Sequence, residues 1–316
     1  MKTCRPICGR RGGEPMDSLD PRTIDSRDRE ADDPREADST DPRDVFTRDL
    51  DLPRGLERER VHVHGHDYDL RGSEVRMLAT IGAFRVAPVD DLRDAHGREA
   101  DLRHGDLHRL RTAGLVRAVA PLDRGEGTTV VTLTDRGRDV LETHRARDRE
   151  SGQTFYAGQL KARELSHDAQ LPRAYLRSAE RLQKEGARIE RVVLDYALKR
   201  EYQRFLQEAN RDRSDSDGRP TRTREEIKAW AREHDLPIVN DRVQFPDFRI
   251  EYERPDGRRE VEHVEVTTAH YRGMHASSKV AAGFTRFRGA AGRVGGSGRS
   301  GSSAPFNPRG AEEYLK

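Results

Sequence analysis

Apolar residues are spread unevenly along the chain. From Met1 to about Arg60, Asp, Arg, Pro, Ser and Thr alternate in short runs with almost no spaced apolar position, a pattern that predicts disorder. Helical spacing begins at Ser73, read as the cap of a helix carrying Val75, Leu78, Ala79, Ile81 and Phe84. Pro88 opens a second, short helix in which Val89 and Leu92 lie three apart and which His96 and Gly97 end. A third helix is expected from about Glu99 to Ala113, with Leu102, Leu107 and Leu110 inward and Gly114 as its stop. Its other face displays Arg103, His104, His108, Arg109 and Arg111. Two β-rich runs, LeuValArgAlaVal and ThrValValThrLeu, then flank a Gly-punctuated turn and predict a hairpin. Thr134 caps a further helix through Val140 and Leu141. The order is three helices, hairpin, helix.

After the polar stretch Arg145 to Thr154, residues 155–209 read as helical, with a break from His167 to Pro172. One helix runs through Ala174, Ala179 and Leu182, and a long amphipathic helix begins near Ile189 and carries Val193, Ala197, Tyr202 and Leu206. Thr223 caps another, anchored by Trp230. The period then switches to two. A strand over 243–252 contains Pro246 and Asp247, ProAspGlyArg makes a turn, and on the returning strand His263, Glu265 and Thr267 share one face. A helix with Lys279 follows, and from about Gly289 the chain becomes a Gly/Ser tail with scattered arginines. The expected fold class is α+β: a charged disordered segment at 1–60, a helix-and-hairpin domain at 61–147, a helical and α/β domain at 155–288, and a flexible tail at 289–316.

Composition sharpens this division. Only 33% of residues are hydrophobic and 37% are charged, so the core has to be concentrated in a few stretches. Lys and Arg total 59 against 57 acids, for a net charge of +2, and most cations are arginines, the side chain suited to phosphate forks. No run approaches the ~18 apolar residues of a membrane span, and Met1 to Gly13 lacks an apolar signal region, so a cytoplasmic protein without a membrane partner is expected. Cys4 and Cys8 stand without a second ligand pair, which argues against a disulfide framework or a zinc site. Met16 is an alternative start that would remove both. His62, His64 and His66 alternate as metal ligands sometimes do, but no further ligand is placed beside them, and an edge strand or loop is the simpler reading.

Residues 70–147, above all LeuHisArgLeuArgThrAlaGlyLeuValArg followed by ValThrLeuThrAspArgGlyArgAspValLeu, resemble the winged-helix repressor families related to the multiple-antibiotic-resistance and phenolic-acid regulators. That resemblance implies a winged helix-turn-helix whose third helix enters the major groove of double-stranded DNA. It makes Arg103, His104, His108, Arg109 and Arg111 candidate base or phosphate contacts, and sends Arg117 and Arg124 on the wing to the backbone or minor groove. Asp90, Asp91, Asp94, Glu99, Asp101 and Asp106 crowd the same region, so the footprint is a narrow arginine stripe, and a homodimer with two half-sites is expected to strengthen it.

The second block is similar to the PD-(D/E)xK nuclease pattern, in which Pro-Asp begins one strand and an acid-x-lysine lies on the next. Asp247 and Glu265 match the two metal-binding acids; Thr267 stands where that family has its lysine. Lys279 is the candidate for a migrated lysine, and Asp195 or Glu201 for a third acid. If the site were active it would use Mg²⁺ or Mn²⁺ with Asp247, Glu265 and Lys279 as the catalytic set. Taken together, the order of a winged helix, His167 in a helical linker and a Pro-Asp hairpin resembles the replication-relaxation family of plasmid and conjugative-element proteins. This implies a mobile-element DNA-binding protein with a degenerate restriction-endonuclease-like domain, acting in plasmid replication or mobilisation control. The alternatives are a metal-dependent DNA endonuclease, or an adaptor that docks a relaxase or replication protein.

Overall fold

A computed structural model describes residues 41–119, 129–146, 152–158, 161–208, 222–267 and 274–288. The chain order begins with a 3₁₀ turn at Pro42–Phe46, strands β1 (Glu59–Val63) and β2 (His66–Leu70), helix α1 (Gly72–Phe84) and strand β3 (Ala87–Pro88). It continues with a 3₁₀ turn at Val89–Asp91, α2 (Gly105–Thr112), β4 (Val116–Val119), β5 (Val130–Leu133) and α3 (Asp135–Thr143). The later half comprises α4 (Ala162–Asp168), α5 (Leu171–Lys184), β6 (Arg188–Leu194), α6 (Asp195–Glu208), α7 (Arg224–Glu233), β7 (Ile238–Val239) and β8 (Arg242–Val243). Strands β9 (Phe248–Glu253) and β10 (Arg259–Thr267), helix α8 (Met274–Ala281) and strand β11 (Thr285–Arg288) complete it. The fold is mixed α+β. No helix of the described residues is long and apolar enough to cross a membrane.

Two sheets organise these elements. In the front half β5 lies between β3 and β4, antiparallel to both, with Val116 opposite Leu133 and Ala87 opposite Val131. In the later half the order is β11-β10-β9-β6; the β6–β9 and β9–β10 pairs are antiparallel and β10–β11 is parallel. The hairpin turn expected between β9 and β10 is present, with Gly257 at φ 80° supplying the left-handed residue it needs.

Several expectations require correction. The ordered chain does not begin at residue 61: Phe46, Leu50 and Leu52 are buried. Their sparse spacing hid them among charges, but this strap lies across both halves. The Tyr175 hydroxyl donates to the Pro42 carbonyl at 2.5 Å, Arg76 Nε to Asp44 at 2.6 Å, and the Arg48 guanidinium to the Ile189 and Glu190 carbonyls at 3.0 and 2.8 Å. Leu50 also bridges Arg145.

Ser73 is not the α1 cap. Arg71 takes that place, its N–H donating to the Glu74 carboxylate at 3.1 Å, and Ser73 Oγ donates to Asp106 at 2.6 Å. The second helix shrinks to β3 and a single 3₁₀ turn, because Val89 N–H donates to Thr129 O and draws the segment into the sheet. Residues 188–194, read as the start of a helix, form strand β6, where Ile189, Val192 and Leu194 are buried against β9. Helix α6 starts only at Asp195. The expected strand over 243–252 is split into β8 and β9.

The polar stretch near residue 150 marks no break in packing. Phe84 at the end of α1 meets Phe46 at 5.5 Å, Tyr175 of α5 at 5.4 Å and Phe248 of β9 at 6.1 Å between ring centroids. One hydrophobic cluster therefore runs from Phe46 to Val266. A satellite cluster centres on Trp230, with Leu198, Ala231 and Leu236. Thr134 and Thr223 cap their helices as expected, accepting from Gly137 and Glu226 N–H at 3.1 and 3.2 Å.

Candidate nucleic-acid interface and carboxylate site

Helix α2 is shorter than its sequence pattern because the Asp101 carboxylate accepts the Arg103 N–H at 2.7 Å and turns the chain before Gly105, whose φ of 69° opens the helix. Arg103 and His104 thus stand on the lead-in, both exposed, with His104 Nδ1 3.3 Å from Asp101. His108 turns partly inward, its Nδ1 3.1 Å from the Leu102 carbonyl, which removes one ring nitrogen from any outside partner. Arg109 is 55% exposed while its Nε lies 3.4 Å from Glu74, and Arg111 is exposed. Arg117 on β4 is exposed and donates to the Gly158 carbonyl at 2.9 Å. Arg124 lies outside the described residues.

Two acids of this region are internal rather than surface charges. Asp106, fully buried, pairs with Arg71 and lies 3.7 Å from Arg58; Glu74, equally buried, pairs with Arg58 at 2.8 Å. Each is compensated by arginine, as buried carboxylates have to be. Asp106 therefore anchors the first turn of α2 to α1 and contributes no repulsion outside. The surface beside the β4–β5 strand pair carries Arg103, Arg109 and Arg111, with the exposed acids Asp90, Glu99 and Asp101 close by in sequence.

The carboxylate site forms at the open end of that hairpin's counterpart in the later half. Pro246 and Asp247 precede β9, and continuing the β9–β10 register one step beyond Phe248–Val264 sets Asp247 opposite Glu265. Asp247 Oδ2 accepts the Val266 N–H at 2.7 Å and lies 3.1 Å from His167 Nε2. On the other side of that imidazole, Nδ1 is 3.3 Å from Asp168. Glu265 is only 2% exposed and meets Lys279 Nζ at 3.0 Å; the same ammonium donates to the Phe245 carbonyl. The structure thus brings Asp247, Glu265 and Lys279 to one end of the sheet.

Other sequence candidates do not join them. The Thr267 hydroxyl donates to the Phe287 carbonyl at 3.2 Å and stays in the β10–β11 ladder. Asp195 gives its N–H to the Asp247 carbonyl at 2.9 Å, but its carboxylate holds Lys199 at 2.6 Å. Glu201 is exposed on α6. His167, which the sequence marked only as a linker residue, is the direct partner of Asp247; no spacing signal joins positions so far apart. No family model, curated protein or solved structure matches the chain.

The donor set does not suit a divalent cation. Asp247 and Glu265 each already face a cationic side chain, one Asp247 oxygen is taken by a backbone amide, and no cluster of three or more metal-ligating side chains occurs among the described residues.

Two histidines here titrate in opposite senses. Burial disfavours the charged form of His167, but hydrogen bonds to Asp168 and Asp247 outweigh it and push its pKa up to about 10. Burial and the nearby Arg249 guanidinium push His263 down to about 4. The stability His167 contributes is therefore full below its ordinary 6.5 and lost as pH rises through 10. That of His263 is present above 6.5 and lost as pH falls through 4. His263→Gln should flatten the acid limb by about 2 kcal/mol, seen as a smaller shift in urea midpoint between about pH 7 and about pH 5. An unchanged shift would remove His263 from that limb.

Proposed function

We propose that the protein binds double-stranded DNA through a winged helix, with α2 in the major groove and the β4–β5 hairpin as the wing, and that its later half is a nuclease-like scaffold that does not cut. The observation that carries this reading is the exposed outer side of α2. There Arg111 is exposed on one flank, Arg109 is 55% exposed on the other with its Nε 3.4 Å from Glu74, and the exposed Arg103 stands just ahead of a helix whose Asp106, Leu107 and Leu110 are buried. The support from architecture is the order α1, β3, 3₁₀ turn, α2, β4, β5, in which the sheet closes behind the helix. Plasmid replication or mobilisation control is the setting proposed for this activity, as the sequence's resemblance to the replication-relaxation family implies.

Guanidiniums that neutralise phosphates set both affinity and its salt dependence. Arg109→Ala with Arg111→Ala should weaken duplex binding by at least about tenfold near physiological salt and reduce the slope of log affinity against log salt by about 2. Fluorescence anisotropy across a salt series measures both. Unchanged affinity and slope would remove α2 as the reading helix.

The alternative, a metal-dependent nuclease, has one contact in its favour: Lys279 reaches Glu265 although the usual lysine position is Thr267. With both acids already countered by cations, supercoiled plasmid is expected to stay intact in Mn²⁺. Nicking by the wild-type protein that Asp247→Ala and Glu265→Ala abolish would establish the nuclease instead.

A further inference from the structure

Helix α6 starts beside the carboxylates, where the Asp195 N–H donates to the Asp247 carbonyl at 2.9 Å. Its inner side is fixed by Leu198, Tyr202 and Phe205, which join the Trp230 cluster, and by the buried Leu206. The helical period then turns Tyr196, Arg200, Gln203 and Arg204 to the opposite side, and all four are exposed. Of the three acids of α6, Asp195 is held by Lys199 at 2.6 Å and Glu208 by Arg222 at 3.1 Å, while the exposed Glu201 lies on the margin of this stripe. Neither Arg200 nor Arg204 has a side-chain ion pair or hydrogen bond among the described residues.

Tyr196 is 53% exposed, one of three exposed large hydrophobic side chains among the described residues; the others, Leu56 and Val280, belong to different segments. Among the described residues no other exposed large hydrophobic side chain lies on α6, so the described stripe lacks the apolar core of a protein–protein interface. Its ring stands at 90° to that of Tyr156, with centroids 6.0 Å apart, which braces one side and leaves the rest open. An oriented aromatic face with two uncommitted guanidiniums one and two turns along the same helix is the chemistry of base stacking with phosphate capture. Stacking of this kind needs an unpaired base, because bases within a duplex already cover each other's faces.

We propose that the Tyr196–Arg200–Arg204 stripe of α6 binds single-stranded nucleic acid, with a base on Tyr196 and its flanking phosphates on the two arginines. This surface is separate from α2, and its strand form is different, so it does not depend on the winged-helix reading.

Anisotropy of the full chain with a labelled oligothymidylate of about 20 nucleotides tests it, with a duplex of mixed sequence measured in parallel. Tyr196→Ala and the Arg200→Ala, Arg204→Ala double variant should each weaken single-strand binding by roughly tenfold, whereas Tyr196→Phe keeps it and duplex affinity is unchanged throughout. Equal single-strand affinity in Tyr196→Ala and wild type overturns the proposal. So does a parallel loss on duplex and single strand, or a loss in Tyr196→Phe as large as in Tyr196→Ala. Should the alanine variants melt early, Glu201→Arg decides: a cation added at the margin should tighten single-strand binding severalfold, and no gain overturns the assignment. The Arg109→Ala, Arg111→Ala protein separates the two surfaces, since it should lose duplex binding and retain single-strand binding.

Discussion

Phe84→Ala is expected to lower stability by about 3 to 5 kcal/mol and to do so for both halves of the chain at once. The Phe84 ring ends α1 in the front half, yet it lies edge-on to Phe248 of β9 and tilted against Tyr175 of α5. Its removal leaves a cavity that no single element lines, and neighbours from three segments would have to move together to fill it. The chain's single tryptophan, Trp230, sits on α7 in the later half and is 7% exposed. Its fluorescence therefore reports on a region remote in sequence from the substitution. Urea unfolding followed by Trp230 and by far-UV circular dichroism should show one transition displaced to lower urea in both signals. A Trp230 transition at the wild-type midpoint would mean that the halves fold as independent domains.

Asp106→Ala should cost about 3 kcal/mol, because breaking a buried ion pair strands the partner charge. Asp106 is reached by Ser73 Oγ at 2.6 Å, by Arg71, and by Arg58 at 3.7 Å. Without it the Arg71 guanidinium, 20% exposed, keeps little water in exchange. Asp106→Asn preserves the shape and the bond from Ser73, so its penalty should be smaller. Because Asp106 fixes the first turn of α2, the alanine variant should also weaken duplex binding more than its distance from the surface suggests. Thermal melts and anisotropy on the same preparations check the pair of effects. A melting temperature equal to wild type would show that the arginines find other partners.

What the sequence made legible was governed by short-range chemistry. The caps at Thr134 and Thr223, the anchor at Trp230 and the β9–β10 hairpin all follow from residues within a few positions of one another. The sequence predicts helix at β6 because Val193, Ala197 and Tyr202 continue a helical spacing across the point where the chain changes structure. Pairing with β9 decides the matter, and that partner lies more than fifty residues on. The same holds for the carboxylate site. Asp247, Glu265 and Lys279 were legible as chemistry, one from its Pro-Asp step, one from strand alternation and one as the next cation, whereas His167 was not, since only the packing of α4 brings it to Asp247. The buried state of Asp106 and Glu74 was hidden for a related reason: a carboxylate in a charge-rich stretch looks solvated until its arginine partners are known.

The strap at residues 42–54 limits how the protein can be trimmed. An expression product starting at residue 61, where the charge-rich stretch gives way to regular patterning, would lack Phe46 and Leu50 and would bare one side of the Phe84 ring to water. It would also lose the Arg48 clamp on β6. Such a shortened polypeptide should aggregate, and the minimal soluble piece should start no later than Asp41.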